Sequence, residues 1–346
     1  MALFHQPPAP QPMAPPPTAT TPDTALSADD TARAQQLVAR IRNRFSQTLV
    51  GQENLREALI TTMVAGGHIL IESMPGLAKT TAAQTLATAV SGSFKRVQCT
   101  PDLMPSDLVG TQVFDFSTQR FTTQIGPIHA NFVLLDEINR SNAKTQSAML
   151  EAMAEGATTI GGQRIPLPKP FMVIATQNPI EEEGTFNLPE AQMDRFLIKT
   201  TIGYPSHESS VDILRQINIG DRATHVSPVT TGADVLAMRT LAQSVHIDDA
   251  IYEYIVRLVE STRHHESIAV GSSMRGALAL TLCARVWAAA DNRGYVIPDD
   301  VKALAVPVLA HRVLLTSEAL FTALTAEQVV AQSLEEVPAP AQSAAL

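Results

Sequence analysis

Ile69-Leu70-Ile71-Glu72-Ser73-Met74-Pro75-Gly76-Leu77-Ala78-Lys79-Thr80-Thr81 is the stretch that decides the fold. Three apolar residues suit a buried strand, Pro75-Gly76 suits a tight turn, and Lys79-Thr80-Thr81 opens the helix-like run Ala82–Val90. A strand, a loop and a helix N-terminus aim backbone N–H groups and a dipole at one point, which favours an anion. A phosphate-binding loop adds a lysine for the outer phosphates and a hydroxyl for magnesium. Lys79 and Thr80 supply both, and Gly76 lets the backbone bend close to the phosphates. Ser73 and Ala78 stand where the strict motif has its outer glycines; both are small, so the cradle stays sterically open. The competing reading of this stretch alone is an ordinary strand-to-helix turn.

Outward from it, the chain alternates. Upstream, Ser27 is placed to cap a helix to about Gln47, Val50-Gly51-Gln52 reads as a turn, and a second helix carries Leu55, Leu59, Ile60, Met63 and Val64. Downstream, Phe94–Cys99, Phe132–Leu135, Phe171–Thr176 and Phe196–Ile202 read as buried strands, with a helix from Ala143 to about Glu155. Two hairpins are expected: Val113–Phe116 with Arg120–Thr123, and Thr158–Ile160 with Gln163–Leu167 around Gly161-Gly162. Continuous apolar strands between helices predict a parallel sheet covered on both faces. After Gly203 the strand pattern stops. Helices are expected over His207–Ile217, Gly232–Val245, Asp249–Thr262, Met274–Ala290 and Pro298–Leu315. The expected fold is therefore α/β, residues 28–204, followed by a small all-helical domain, residues 205–335. A Pro-rich leader over 1–27 and an Ala/Pro-rich tail over 336–346 are too poor in core-forming residues to order themselves.

The 346 residues are 45% hydrophobic and carry a net charge of −9, enough core for these domains and the wrong sign for a dedicated nucleic-acid binder. No apolar run reaches membrane-spanning length, and the N-terminus holds no secretion-type core, so the expected location is cytoplasmic and without membrane insertion. Cys99 and Cys283 lie in apolar runs without metal-ligand spacing and read as reduced core thiols.

Asp136-Glu137 ends an apolar strand, where an NTPase needs one carboxylate for magnesium, held through water, and one to orient or deprotonate the attacking water. The plain alternative is two idle acids at a strand end. Asn178, after the next strand, suits holding that water, or is only a turn residue before Pro179. Arg195 suits a surface ion pair or a finger into a neighbour's nucleotide. Arg275 sits at a helix start, an odd place for a cation unless an anion faces it. Residues Glu181-Glu182-Glu183 read as a solvated loop, and His264-His265 lacks companion ligands at metal spacing.

Together these residues resemble the MoxR family of AAA+ ATPases over about Ser27 to Leu315. The likeness is carried by Pro75–Thr80, Leu134–Arg140, Lys144–Met153, Ala175–Pro179, Leu188–Phe196 and Gly271–Gly276. It implies Walker A at Pro75, Gly76, Leu77, Ala78, Lys79, Thr80 and Thr81, with Thr80 and Asp136 for Mg2+ and Glu137 as Walker B base. It implies sensor 1 at Asn178, a finger acting in trans at Arg195 and sensor 2 at Arg275, and it sets Val50-Gly51-Gln52 against adenine. It further implies ATP as ligand, pore-facing hairpins, a hexameric ring, a von Willebrand factor A domain partner, and chaperone-like maturation of a client protein complex. Two other classes stay open at this stage: a nucleotide-gated scaffold with little turnover, and a DNA-acting motor.

Overall fold

The computed structural model describes residues 27–49, 51–74, 78–178, 186, 188–204, 206–215 and 227–340. The leader, Val50, Pro75-Gly76-Leu77 and Glu181-Glu182-Glu183 lie outside the described residues. In chain order, α1 (Ala28–Thr48) and α2 (Glu53–Ala65) precede β1 (Ile69–Ser73), and α3 (Lys79–Ala89) leads to β2 (Phe94–Gln98). The short α4 (Pro105–Val109) enters a hairpin, β3 (Gly110–Asp115) and β4 (Arg120–Ile125). Next come β5 (Phe132–Asp136), α5 (Ala143–Glu155) and a second hairpin, β6 (Ala157–Ile160) and β7 (Gln163–Pro166). β8 (Met172–Gln177), α6 (Glu190–Met193) and β9 (Ile198–Ile202) complete this half. The remainder holds α7 (His207–Arg215), α8 (Gly232–Gln243), α9 (Asp249–His264), β10 (Ile268–Val270), α10 (Met274–Ala290), α11 (Pro298–Leu309), β11 (Leu314–Leu315), α12 (Ser317–Phe321) and α13 (Ala326–Glu336).

The central sheet runs β2-β5-β8-β1-β9 with every neighbouring pair parallel. Its middle strands are aliphatic at almost every position because helices cover both faces. Register aligns their ends: Ile69 lies opposite Ile174 and Ile198, and Ser73 lies opposite Ile202. The strand ends that carry Asp136, Gln177 and Ser73 therefore share one rim of the sheet.

One face of the sheet packs on α1, α2, α3 and, continuously, on the helices of the second domain. Helix α10 buries Ala277, Leu280, Cys283, Ala284 and Ala288 against α1, α2, α8, α9 and α11. Trp287 Nε1 donates to Thr61 Oγ1 at 2.8 Å, a polar tie between α10 and α2. The other face packs under α5 and α4 around Met149, Leu150 and Phe196.

Three expectations need correction. The second domain is not purely helical: β10 pairs antiparallel with β11. The helix expected over 298–315 ends at Leu309, because Ala310–Arg312 tightens into a 3-10 turn that lets His311 and Arg312 reach the Phe196 carbonyl. Residues 337–340, expected to fray, set Val337 and Ala339 against the core while Pro338 accepts from Arg257.

Candidate nucleotide site

At the rim where β1, β5 and β8 end, two buried charges face each other. Lys79, the first residue of α3, sets Nζ 3.9 Å from Asp136 Oδ1; the two side chains are each 9% exposed. Ala78, just before α3, holds a left-handed φ of 53°, the conformation for which the strict motif has glycine. Glu137 is also left-handed, at φ 59°, so the chain turns sharply after β5 and the two adjacent carboxylates part.

Each carboxylate is held by side chains from neighbouring strands. Thr176 Oγ1 donates to Asp136 Oδ1 at 2.7 Å and accepts from Glu137 N at 2.9 Å, so one hydroxyl fixes both. Arg96 takes the other oxygen of Asp136, with Nη2 at 2.6 Å and Nε at 3.2 Å. Gln98 Nε2 donates to Glu137 Oε2 at 2.8 Å, and Arg140 Nη1 stands 3.2 Å from the same oxygen. Asn178, one residue past β8, is buried and lies on the same rim. Cys99, directly after β2, is buried; burial and the charges of Asp136 and Glu137 push its thiol up to about 12, so it stays an inert core thiol.

The buried carboxylate of Asp136 is a hard oxygen donor, the kind that fits a divalent cation such as magnesium. With Arg96 and Thr176 on Asp136, the fit is to an ion held largely through water, as magnesium prefers. Gly51 and Gln52 lie before α2, where a Cβ on Gly51 would crowd Ser209 of α7.

Arg195 is elsewhere. It precedes β9, at the start of that strand, whereas Lys79 follows the other end of its parallel neighbour β1; a strand of 5 residues at ~3.3 Å each spans about 16 Å. Its Nη1 donates to Leu150 O at 2.5 Å. Beside it, Asp194 Oδ2 lies 3.4 Å from Arg275 Nη1. Arg275 thus faces Asp194, the residue before Arg195. Thr80 and Thr81 continue α3 behind Lys79.

Arg96, Gln98, Arg140 and Thr176 escaped the reading of the sequence. For Arg96 and Gln98 the one signal is three polar residues, Lys95, Arg96 and Gln98, in a strand beside the strand of Asp136.

Among the described residues no helix is long and apolar enough to cross a membrane. Residues 68–198 match the ATPase family associated with various cellular activities (AAA), and residues 260–333 match the AAA lid domain. The chain is 42% identical over 310 residues to the uncharacterized protein YeaC of Bacillus subtilis, covering 90% of this chain and 97% of that one. It is 41% identical over 301 residues to Chaperone MoxR1 of Mycobacterium tuberculosis, covering 84% and 79%. Protein MoxR of Methylorubrum extorquens is 28% identical over 329 residues, covering 87% and 95%. The crystal structure of a candidate ATPase from Cytophaga hutchinsonii superposes with a TM-score of 0.85 at 37% identity, covering 90% of this chain and 98% of that one. An AAA domain with a parallel sheet, an AAA lid behind it, and relatives of this identity over nearly the whole length place the chain in one group: it belongs to the MoxR family of AAA+ ATPases.

Proposed function

We propose that this chain hydrolyses ATP in a site completed by a second copy of itself, and uses the cycle to remodel a client protein complex. The observation that carries this reading is the separation of the two rims. Lys79, Asp136 and Glu137 gather where the strands end, while Arg195 and Arg275 gather where β9 begins. Cations so far from their own phosphate cradle can act only on another copy's nucleotide. Lys79 and the backbone N–H groups of the Walker A loop (Gly76, Leu77, Ala78, Thr80, Thr81, the loop opening at Pro75) hold the phosphates, with Val50, Gly51 and Gln52 against the base. Asp136 and Thr80 hold Mg2+, which when bound neutralises charge on the phosphate oxygens. Glu137 takes a proton from the attacking water, which Asn178 orients. Gln98 and Arg140 both meet Oε2 of Glu137 and so orient the carboxylate for that role. Arg195, lent by the neighbour, stabilises charge on the transferring phosphoryl group.

A ring of copies follows from the reading, with six as the number implied by the family resemblance. A von Willebrand factor A domain partner and a client complex rest on that same resemblance, as does a cytoplasmic setting. Nucleic acid fits less well: Arg164 near the β6–β7 turn lies 3.3 Å from the Glu155 carboxylate, which offsets its charge.

Glu137→Gln tests the reading. The variant is expected to bind ATP with parental affinity in equilibrium binding and to release phosphate at least about a hundredfold more slowly. Parental turnover in that variant would show that the base has been misassigned.

A further inference from the structure

Arg312 closes the lid's 3-10 turn and points back into the protein, its side chain only 3% exposed. Its donors converge on one short segment of the core domain. Nε donates to Asp194 Oδ1 at 2.9 Å; Nη2 donates to Phe196 O at 2.7 Å and Asp194 O at 3.4 Å; Nη1 donates to Leu197 O at 3.3 Å and to Val308 O near the end of α11. His311 Nε2 sits 2.9 Å from the same Phe196 carbonyl. A buried guanidinium is costly to desolvate, and here all three of its nitrogens reach residues 194–197, with Nη1 also meeting Val308 O and His311 Nε2. Arg195 lies inside that segment. The second oxygen of Asp194 faces Arg275 Nη1 at 3.4 Å and Ser273 Oγ at 3.5 Å, both from the start of α10.

We propose that Arg312 is a positioning residue: it clamps the backbone that carries Arg195 and, through Asp194, sets Arg275 beside it, so that lid and core present both cations as one unit. The proposal rests on the reading of Arg195 as a finger acting in trans. It gives the lid a task in catalysis without any contact to nucleotide on its own chain, since a shift of the lid shifts the finger. A lysine at this position keeps the charge but has no fork to span a carboxylate and three carbonyls.

The test uses the full chain at concentrations where copies assemble. Arg312→Lys is expected to lower kcat for ATP about 10- to 100-fold, the scale of a misplaced group. KM should stay within about twofold, because the phosphate cradle is untouched. Mixing it with Glu137→Gln, which has no base but an intact finger, should raise turnover well above the sum of the two alone. Asp194→Asn should behave in the same way, and it takes the place of Arg312→Lys if that variant fails to assemble. Parental kcat in both variants, or a loss that mixing does not relieve, overturns the positioning role. Arg195→Ala separates the two levels. Parental turnover there removes the finger reading itself, whereas a loss on the order of a thousandfold beside an unaffected Arg312→Lys removes only this inference.

Discussion

Thr176 carries no charge and belongs to no Walker motif, yet its hydroxyl is the joint between Asp136 and the Glu137 backbone. Thr176→Val keeps the shape and removes both bonds, leaving a buried carboxylate oxygen and a half-buried N–H short of a partner. The expected cost is about 2 kcal/mol in urea unfolding, with kcat lowered about tenfold as the two carboxylates lose their fixed relation. That Lys79, Asp136 and Glu137 share one rim was readable in the chain because a strand-to-helix turn and a second strand ending in two acids place such residues at strand ends. Thr176 and Gln98 act across strands, and no spacing along one chain marks such a residue. A second buried group answers to pH. His68 accepts Val173 N–H on Nδ1 at 3.0 Å, and burial, helped by Arg239, holds its pKa down to about 4. The unfolded chain binds a proton that the folded one refuses, so stability falls as pH drops from about 6.5 to about 4 and is fully present only above that window. His68→Asn retains an acceptor without the titration. Parent and variant stabilities, measured by denaturant unfolding at pH 7 and pH 4, should differ in their pH response by roughly 3 kcal/mol.

Among the elements, the hairpins show what turn chemistry reveals and what it hides. Gly161 and Gly162 hold φ of 56° and 80°, the two left-handed residues that a two-residue turn requires, so β6 and β7 could be read from the dipeptide. The lid strands β10 and β11 could not, because pieces of three and two residues carry no alternation to detect. The β3–β4 hairpin is fixed at its root, where Gly110 has φ 115° and a Cβ would strike the backbone of Gln124, Ile125 and Gly126. Gly110→Ala is thus expected to destabilise by roughly 2 kcal/mol or more, and Gly156→Ala, left-handed at φ 58° but with open space around it, by about 1. Chemical unfolding of the two variants side by side checks the ranking. At the far end of the same hairpin, Phe116 is 86% exposed and packs edge-on to Phe114 at 5.2 Å. Phe116→Ser should leave stability within about 0.5 kcal/mol, so any functional loss from it would belong to contacts with other molecules.

At the scale of the molecule, a parallel sheet has two unlike rims, and this chain divides its chemistry between them. Helix N-termini and strand ends meet at one rim, which is where an anion is held. The lid folds back against the other, where Arg312 ties it to the segment of Arg195. The second domain is continuous with the core through α10 and the Trp287–Thr61 bond, so swinging the lid's Arg275 to its own Lys79 would mean breaking the apolar core, and Arg195 lies in the core domain itself, just before β9. The proposed reading then makes activity depend on assembly. On serial dilution, turnover per chain should fall steeply through the range in which sedimentation shows rings giving way to monomers. ATP binding per chain, which needs only the cradle rim, should change far less. Adding Glu137→Gln chains at a dilution where the parent is nearly silent should restore turnover, because they bring fingers without bases. Turnover per chain that stays flat across that range would mean that one copy completes its own site, and the division of labour between the rims would have no catalytic meaning.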